Sequence, residues 1–440
     1  MPVLSSSLLI YSGFDSPRLQ YVLQWIFEEQ LGTAYRVTTS TEEWMAFEGP
    51  RINYSKTPLV ADELQIVPHA LLGESDIRTQ SLAVQRWKHS TILFYNQPGA
   101  AIPFDLFAAA FYLISRYEEY LPHKEDRHGR YEAAQSAAAQ YSFLQEPVVD
   151  QWIGQLRRIL VQRFQLPLSA PSFRFQPSYD VDIAWKYRHR GIRHYWGGMA
   201  KELLQVKWRS AASRLAAGLT GGRDPYDCFA WLDALHERYR LAPLYFFLAG
   251  SGSRYDRNVL PGTPAMQQLM RHISERYTVG VHPSYLSHTN PSILSDERGI
   301  VSVYTHQEIT RSRQHYIKFG LPHTYRELMA AGITDDYSMG YAMANGFRAG
   351  TSNAFTWYDL EAEAAYPFRV HPFIFMDATS RFYLRHKPGE AWQEWERLWH
   401  AVQQVGGTFT SIMHNHLLGP ARENKGWGEM YRKALAQNMR

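Results

Sequence analysis

The sequence predicts an α/β fold, a (β/α) barrel or doubly wound sheet preceded by a smaller α/β unit. Short apolar runs alternate with amphipathic stretches from Ser172 to the end, the rhythm of repeated β–α units. A composition of 45% hydrophobic and 20% charged residues supplies a buried core and excludes a disordered chain. Leu166-Pro167-Leu168-Ser169-Ala170-Pro171 reads as a linker, which divides the 440 residues into units 1–165 and 166–440.

In the first unit, Leu8 to Tyr11 before Gly13 reads as a buried strand. Arg18 to Gln30 is a helix, with Leu19, Val22, Leu23, Ile26 and Phe27 at helical spacing. Tyr35–Thr38 and Arg51–Tyr54 are strands. Phe104–Leu121 and Val148–Phe164 are amphipathic helices. Ser115-Arg116-Tyr117-Glu118-Glu119-Tyr120 closes the first of these, and its charges read as interdomain ion pairs. The second unit opens on a strand from Ser172 to Tyr179, running into Asp180-Val181-Asp182. Helices over Tyr226–Tyr239, Ala265–Arg276 and the Trp-rich Ala391–Val405 separate strands over Leu244–Leu248, Thr278–His282, Phe368–Met376 and Thr408–His414. Val303–Arg311, Arg313–Phe319, Thr324–Ala331 and Ile333–Met339 continue the alternation. Cys228 falls on an apolar helix and reads as a buried small residue.

A net charge of +4 over this length, without a Lys/Arg block, is no nucleic-acid signature. A single Cys excludes an intramolecular disulfide framework and any site built from several thiolates, so a metal would have to sit on His and carboxylate. No stretch approaches the ~18 apolar residues of a membrane span. Met1 to Ser5 carries no basic leader, and a soluble, cytoplasmic protein is the expectation. Between Lys186 and Arg223, nine basic residues face one acid, Glu202. That segment is either a solvated helical excursion or a surface for acidic lipid or anionic glycan, which would allow peripheral membrane contact.

Ionisable groups gather where the expected strands end, the usual address of an active site in an α/β barrel. Asp180 and Asp182, two apart on an extended chain, share a face. Their repulsion is relieved by a divalent metal that takes one and leaves the other as a base, or by solvation in a turn. His282 ends a strand before Pro283, and His288 follows on a loop. Arg313 and His315 face the same way on one strand, and a buried Arg313 needs a carboxylate, with Asp180 the candidate. His414 ends the last strand, where it could act as a general acid.

In this order the motifs resemble those of the polysaccharide deacetylase superfamily, carbohydrate esterase family four and its relatives. The motifs are Ser178-Tyr179-Asp180-Val181-Asp182, His282-Pro283-Ser284-Tyr285-Leu286, Arg313-Gln314-His315-Tyr316 with Pro322 to Leu328, Gly332 to Tyr337, and Ile412-Met413-His414-Asn415. The Arg116 segment, Gly346-Phe347-Arg348-Ala349-Gly350-Thr351, Pro372-Phe373 and Met376-Asp377 resemble a divergent branch with an extra N-terminal α/β domain.

The resemblance implies a distorted (β/α) barrel and metal-assisted removal of an N- or O-acetyl group from a sugar. Asp180 would be the base, with Arg313 as its partner. Asp182 and His282 would hold a divalent metal, Zn or else Co, Ni or Mn, and His414 would protonate the leaving group. The family's second histidine ligand falls at Leu286, so His315 takes its place, with His288 in reserve, or the metal is weak or absent. Tyr179, Tyr285, Tyr316, Tyr337 and Arg348 are the candidate substrate contacts. Two other functions stay open, a catalytically impaired glycan-binding protein on the same fold and another barrel amidohydrolase acting on a C–N bond. The first domain shows no chemistry of its own, and nothing in the sequence fixes the oligomeric state.

Overall fold

A computed structural model describes residues 7–168, 170–219, 222–250 and 253–439. Met1 to Ser5 and Ser169, read above as part of a leader-free start and a linker, lie outside the described residues, as do 220 and 221 of the basic segment.

Near the start, β1 (Leu8–Ser12) is the middle strand of a parallel three-stranded sheet between β2 (Tyr35–Thr38) and β3 (Arg51–Tyr54). Its unbroken Leu8-Leu9-Ile10 run follows from burial on both faces. The helix expected over Arg18–Gln30 begins at Pro17, capped by Ser16, and from Gln24 to Gln30 widens to π-helical turns with Trp25, Ile26 and Phe27 all buried. A short antiparallel hairpin, β4 (Gln85–Trp87) and β5 (Ser90–Ile92), follows.

The expected helix over Phe104–Leu121 is shorter. It runs Leu106–Ile114, entirely buried, and stops because Arg116 takes a left-handed backbone, φ 55°. The helix Val148–Phe164 has the expected bounds.

The larger sheet has nine strands: β6 (Arg174–Val181), β7 (Leu244–Phe247), β8 (Thr278–Val281), β9 (Arg311–Ser312), β10 (Asp335–Met339), β11 (Phe355–Asp359), β12 (Ala364–Pro372), β13 (Phe375–Met376) and β14 (Thr408–His414). Their order is β11-β12-β10-β9-β8-β7-β6-β14-β13, parallel throughout except for β11 against β12. The single strand expected over Phe368–Met376 is divided: β12 lies beside β10, and β13 lies beside β14 at the opposite end. Only Phe373 and Ile374 join them, a reach of about 11 Å across three Cα steps. Seven strand spacings in a flat sheet would need about 34 Å. The sheet therefore curls until its ends approach, and the joining residues bond to both sides: Phe373 N–H to Met339 O, Ile374 N–H to Thr410 O.

Much of the aromatic content is core. Trp395 and Trp399, on the helix Pro388–Val405, pack against Phe175 and Phe409, and Phe173 also meets Trp399. Cys228 is buried, its thiol donating to Asn415 O.

The N-terminal part is bonded tightly to the large sheet. Arg116 donates to Glu118 and Glu119 at 2.8 Å each, and Arg348 closes a bidentate pair on Glu119 at 2.8 and 2.6 Å. All four side chains are buried. Arg348 is thus a correction to its reading as a substrate contact, because its guanidinium is consumed in this seam. The glycines around it explain the motif as a seam too: a Cβ on Gly346 (φ 137°) would lie 2.3 Å from Leu144 O.

Candidate metal and acid–base site

Six ionisable residues meet at the carboxyl ends of the parallel strands. On β6 the period of two sends Ser178, Asp180 and then Asp182 to one face, and Tyr179 and Val181 to the other. Ladder register sets His414 of β14 opposite Asp180. His282 follows the end of β8 directly, and Arg313 the end of β9.

Arg313 Nη1 donates to Asp180 Oδ1 at 2.8 Å, the pairing expected from sequence. Its Nε donates to Tyr337 O, and its guanidinium lies 4.3 Å from the centre of the Phe246 ring. This fixes the Asp180 carboxylate and leaves Oδ2 facing His282 and His414, at 3.9 and 4.0 Å from their Nε2 atoms.

Asp182 sits among three rings, with His282, His414 and His315 Nε2 at 3.2, 3.5 and 3.7 Å from its oxygens. Ligand atoms of Asp182, His282 and His315 lie within 4.8 Å of one another. Each ring is anchored at Nδ1 by an acceptor: Arg313 O for His282, Asp256 Oδ1 at 3.0 Å for His315, Asp377 Oδ1 at 2.6 Å for His414. A neutral ring held this way keeps its proton on Nδ1 and turns the Nε2 lone pair inward. Three lone pairs would then face a carboxylate, and Asp182 Oδ1 is buried without a hydrogen-bond partner.

Such a cavity needs a cation or protons. In the metal-free chain, protons answer. Burial alone lowers His315 and His414. Asp182 and Asp256 outweigh it at the first, raising it to about 9; Asp377, Asp182 and Asp180 do so at the second, raising it to about 10. Burial would raise Asp182, but His315 and His414 hold its carboxyl well below the usual range. The donor set of two buried imidazoles, each anchored from behind, and one half-buried carboxylate fits a divalent ion of the Zn class.

Of the other sequence candidates, Tyr285 and Tyr316 stand beside the cluster. Tyr316 packs on His315 with ring centres 4.7 Å apart, and Tyr255 stacks on Tyr285 at 4.1 Å. His315 is not on a strand as expected. It opens a short turn after β9 in which Tyr316 and Ile317 have φ of 62° and 51°. Tyr179 is a correction: on the opposite face of β6 from Asp180, it is fully buried with its hydroxyl on His236 and Tyr431. Tyr337 is buried against Phe246 and His371 and gives the site only its carbonyl. His288 stands outside the metal-ligand group, in a turn where burial and then Lys318 push it down to about 4. Leu286 is exposed.

Sequence reasoning missed several residues. Asp256 and Asp377 orient two of the three rings. From the N-terminal part, the loop around His128 reaches the same place. His128 Nδ1 meets Tyr285 OH at 3.1 Å, and Arg130, paired with Asp126, donates to Tyr316 O at 2.6 Å. Arg130 thereby holds the left-handed turn that carries His315. The N-terminal part of the chain thus reaches the cluster. Asp377 had a signal, since it follows β13 as Asp182 follows β6; the His128 loop had none.

Residues 8–165 match a family of unknown function, DUF7033. No curated protein matches the chain. Solved structures to which the chain is similar include a polysaccharide deacetylase from Bacillus cereus, at 8% identity and TM-score 0.30, covering 61% of this chain and 89% of that one. A probable polysaccharide deacetylase from Pseudomonas aeruginosa PAO1 is similar at 10% identity and TM-score 0.38, covering 60% and 84%. A carbohydrate esterase family four pseudoenzyme, a mutant with restored enzymatic activity, is similar at 9% identity and TM-score 0.26, covering 61% and 64%.

Proposed function

We propose that the chain is a metal-dependent deacetylase of polysaccharide deacetylase type, removing an N- or O-acetyl group from a sugar. The observation that carries this reading is the convergence of three Nδ1-anchored histidines on a half-buried Asp182, two residues from an Arg-held Asp180. Asp182, His282 and His315 would hold the ion. Such an ion lowers the pKa of water and polarises the acetyl carbonyl. Asp180, fixed by Arg313, accepts the proton of the attacking water through Oδ2. His414, kept protonated by Asp377, Asp182 and Asp180, donates from Nε2 to the departing nitrogen or oxygen. Tyr316 and Tyr285 offer ring faces to the sugar next to the cluster.

The test is acetate release from N- and O-acetylated oligosaccharides by the full chain supplied with Zn, Co, Ni or Mn. Release is expected with at least one of them; no release with any would overturn the reading. Asp256 anchors His315 from behind. Asp256→Asn is therefore expected to weaken metal affinity about 10–100-fold, read by titration of the apo chain with Zn. Unchanged affinity would remove His315 from the ligand set.

A further inference from the structure

Between Asp182 and the helix Phe229–Tyr239 the chain makes a helical hairpin, Ile192–Leu204 and Trp208–Leu219, that the deacetylase reading does not use. Its outer side is apolar. Ile192, Trp196 and Leu203 lie at i, i+4 and i+11 of the first helix, Trp208 and Leu215 at i and i+7 of the second, and all are exposed. The tip adds Leu204, 85% exposed, and Val206, 67%. Trp208 is 62% exposed and Trp196 54%, whereas the chain's other large aromatics mostly fill cores. Met199, Ala211 and Ala217 are the buried residues of the inner side, and Arg214, paired with Glu202 and lying over the Tyr187 ring, ties the hairpin to the body. Arg193, Lys201, Lys207 and Arg209 are exposed around the apolar stripes.

We propose that this hairpin docks on an anionic phospholipid bilayer and holds the candidate site against it. Aliphatic side chains at this exposure need an apolar phase, which a nucleic acid does not offer. The exposed Arg193, Lys201, Lys207 and Arg209 of the hairpin would repel a second copy of the same surface, but complement anionic headgroups. Indole rings beside Lys and Arg suit the headgroup boundary, where apolar faces sink and cations stay wet. No helix among the described residues is long and apolar enough to cross a membrane, so the contact is one of a helix pair lying on the surface.

The placement ties docking to the site. The hairpin follows β6, whose end carries Asp180 and Asp182. Arg190 at its base donates to Arg257 O, one residue from Asp256, the anchor of His315. A groove of about 600 Å³ at the base of the hairpin is lined by His189, Arg190, His194, Arg257 and Leu260. On the deacetylase reading, a glycan carried on a lipid is the substrate form that docking would present.

The test is sedimentation of the full chain with vesicles of phosphatidylcholine alone and of phosphatidylcholine mixed with phosphatidylglycerol. Binding is expected to the anionic vesicles, weakened by salt and by about fivefold for each charge removed in Lys201→Gln and Lys207→Gln. The double variant Leu204→Glu/Val206→Glu is expected to lose it while retaining the parent's thermal midpoint and solution activity. Asp180→Asn should bind vesicles like the parent, so docking stands or falls apart from catalysis. Absence of binding to anionic vesicles, equal binding to both vesicle types, or binding indifferent to the double variant would overturn the proposal. So would a dimer in solution that Leu204→Glu/Val206→Glu splits.

Discussion

Asp180→Asn is expected to lower kcat for acetyl release by roughly 10²–10⁴-fold, the contribution of a positioned general base. The residue has a second duty. Arg313 is fully buried and, among the described residues, its one ion pair is with Asp180, so the amide leaves an uncompensated guanidinium in the core. A loss of about 3–5 kcal/mol of stability should accompany the loss of turnover. The two effects separate in the double variant Asp180→Asn/Arg313→Met. With the buried charge removed, stability should recover toward the parent, because apolar replacement of a buried pair is often neutral. Turnover should not recover. Zn uptake should persist in both, since Asp182, His282 and His315 are untouched. Recovery of activity along with stability would mean that Asp180 acts only as a structural partner.

Glu119→Gln is expected to be the most destabilising single change far from the site, at about 3–5 kcal/mol by denaturant unfolding. Among the described residues, Glu119 is the one carboxylate shared by Arg116 and Arg348, which stands in the turn between β10 and β11; without it Arg116 keeps Glu118, but Arg348 keeps no carboxylate partner. The exposed pair of Arg326 with Glu361 is the control, where Glu361→Gln should change stability by about 0.5 kcal/mol or less. The seam also has a pH signature. Burial would raise the Glu119 carboxyl, but Arg348 and Arg116 outweigh it and hold it at about 2, against an ordinary 4.5. A depressed folded pKa stabilises fully above the unfolded value and is lost as pH falls through the folded one. The parent should therefore lose more stability than Glu119→Gln between pH 4.5 and pH 2. Parallel curves would show that the seam contributes nothing there.

The α/β alternation and the strand-end carboxylates were legible because they rest on local periodicity. The period of two that puts Asp180 and Asp182 on one face also sends Tyr179 to the other, so its burial could have been read from the same rule. His315 was found for the wrong local reason. Neither Tyr316 nor Ile317 invites a positive φ, and the turn that carries them is held by Arg130, 186 residues earlier. Arg348 was misplaced because a Gly-flanked arginine reads alike at a cleft and at a seam; the backbone of Leu144 against Gly346 decides for the seam. Asp256 and the His128 loop reach the site only through tertiary packing, which no window of sequence contains.

The role of the N-terminal part follows from these contacts. Its Tyr21 hydroxyl donates to Thr356 O on β11, and its His128–Arg130 loop bonds Tyr285 and the turn of Tyr316. The turn that carries His315 is thus held from both parts of the chain.

The most direct measurement is acetate release from an acetylated oligosaccharide by the full chain after chelation and again after stoichiometric Zn is returned. Release abolished by the chelator and restored by the metal, with neither response in Asp182→Asn, is the result predicted by a metal site on Asp182, His282 and His315. Acetate release that survives complete metal removal would contradict it.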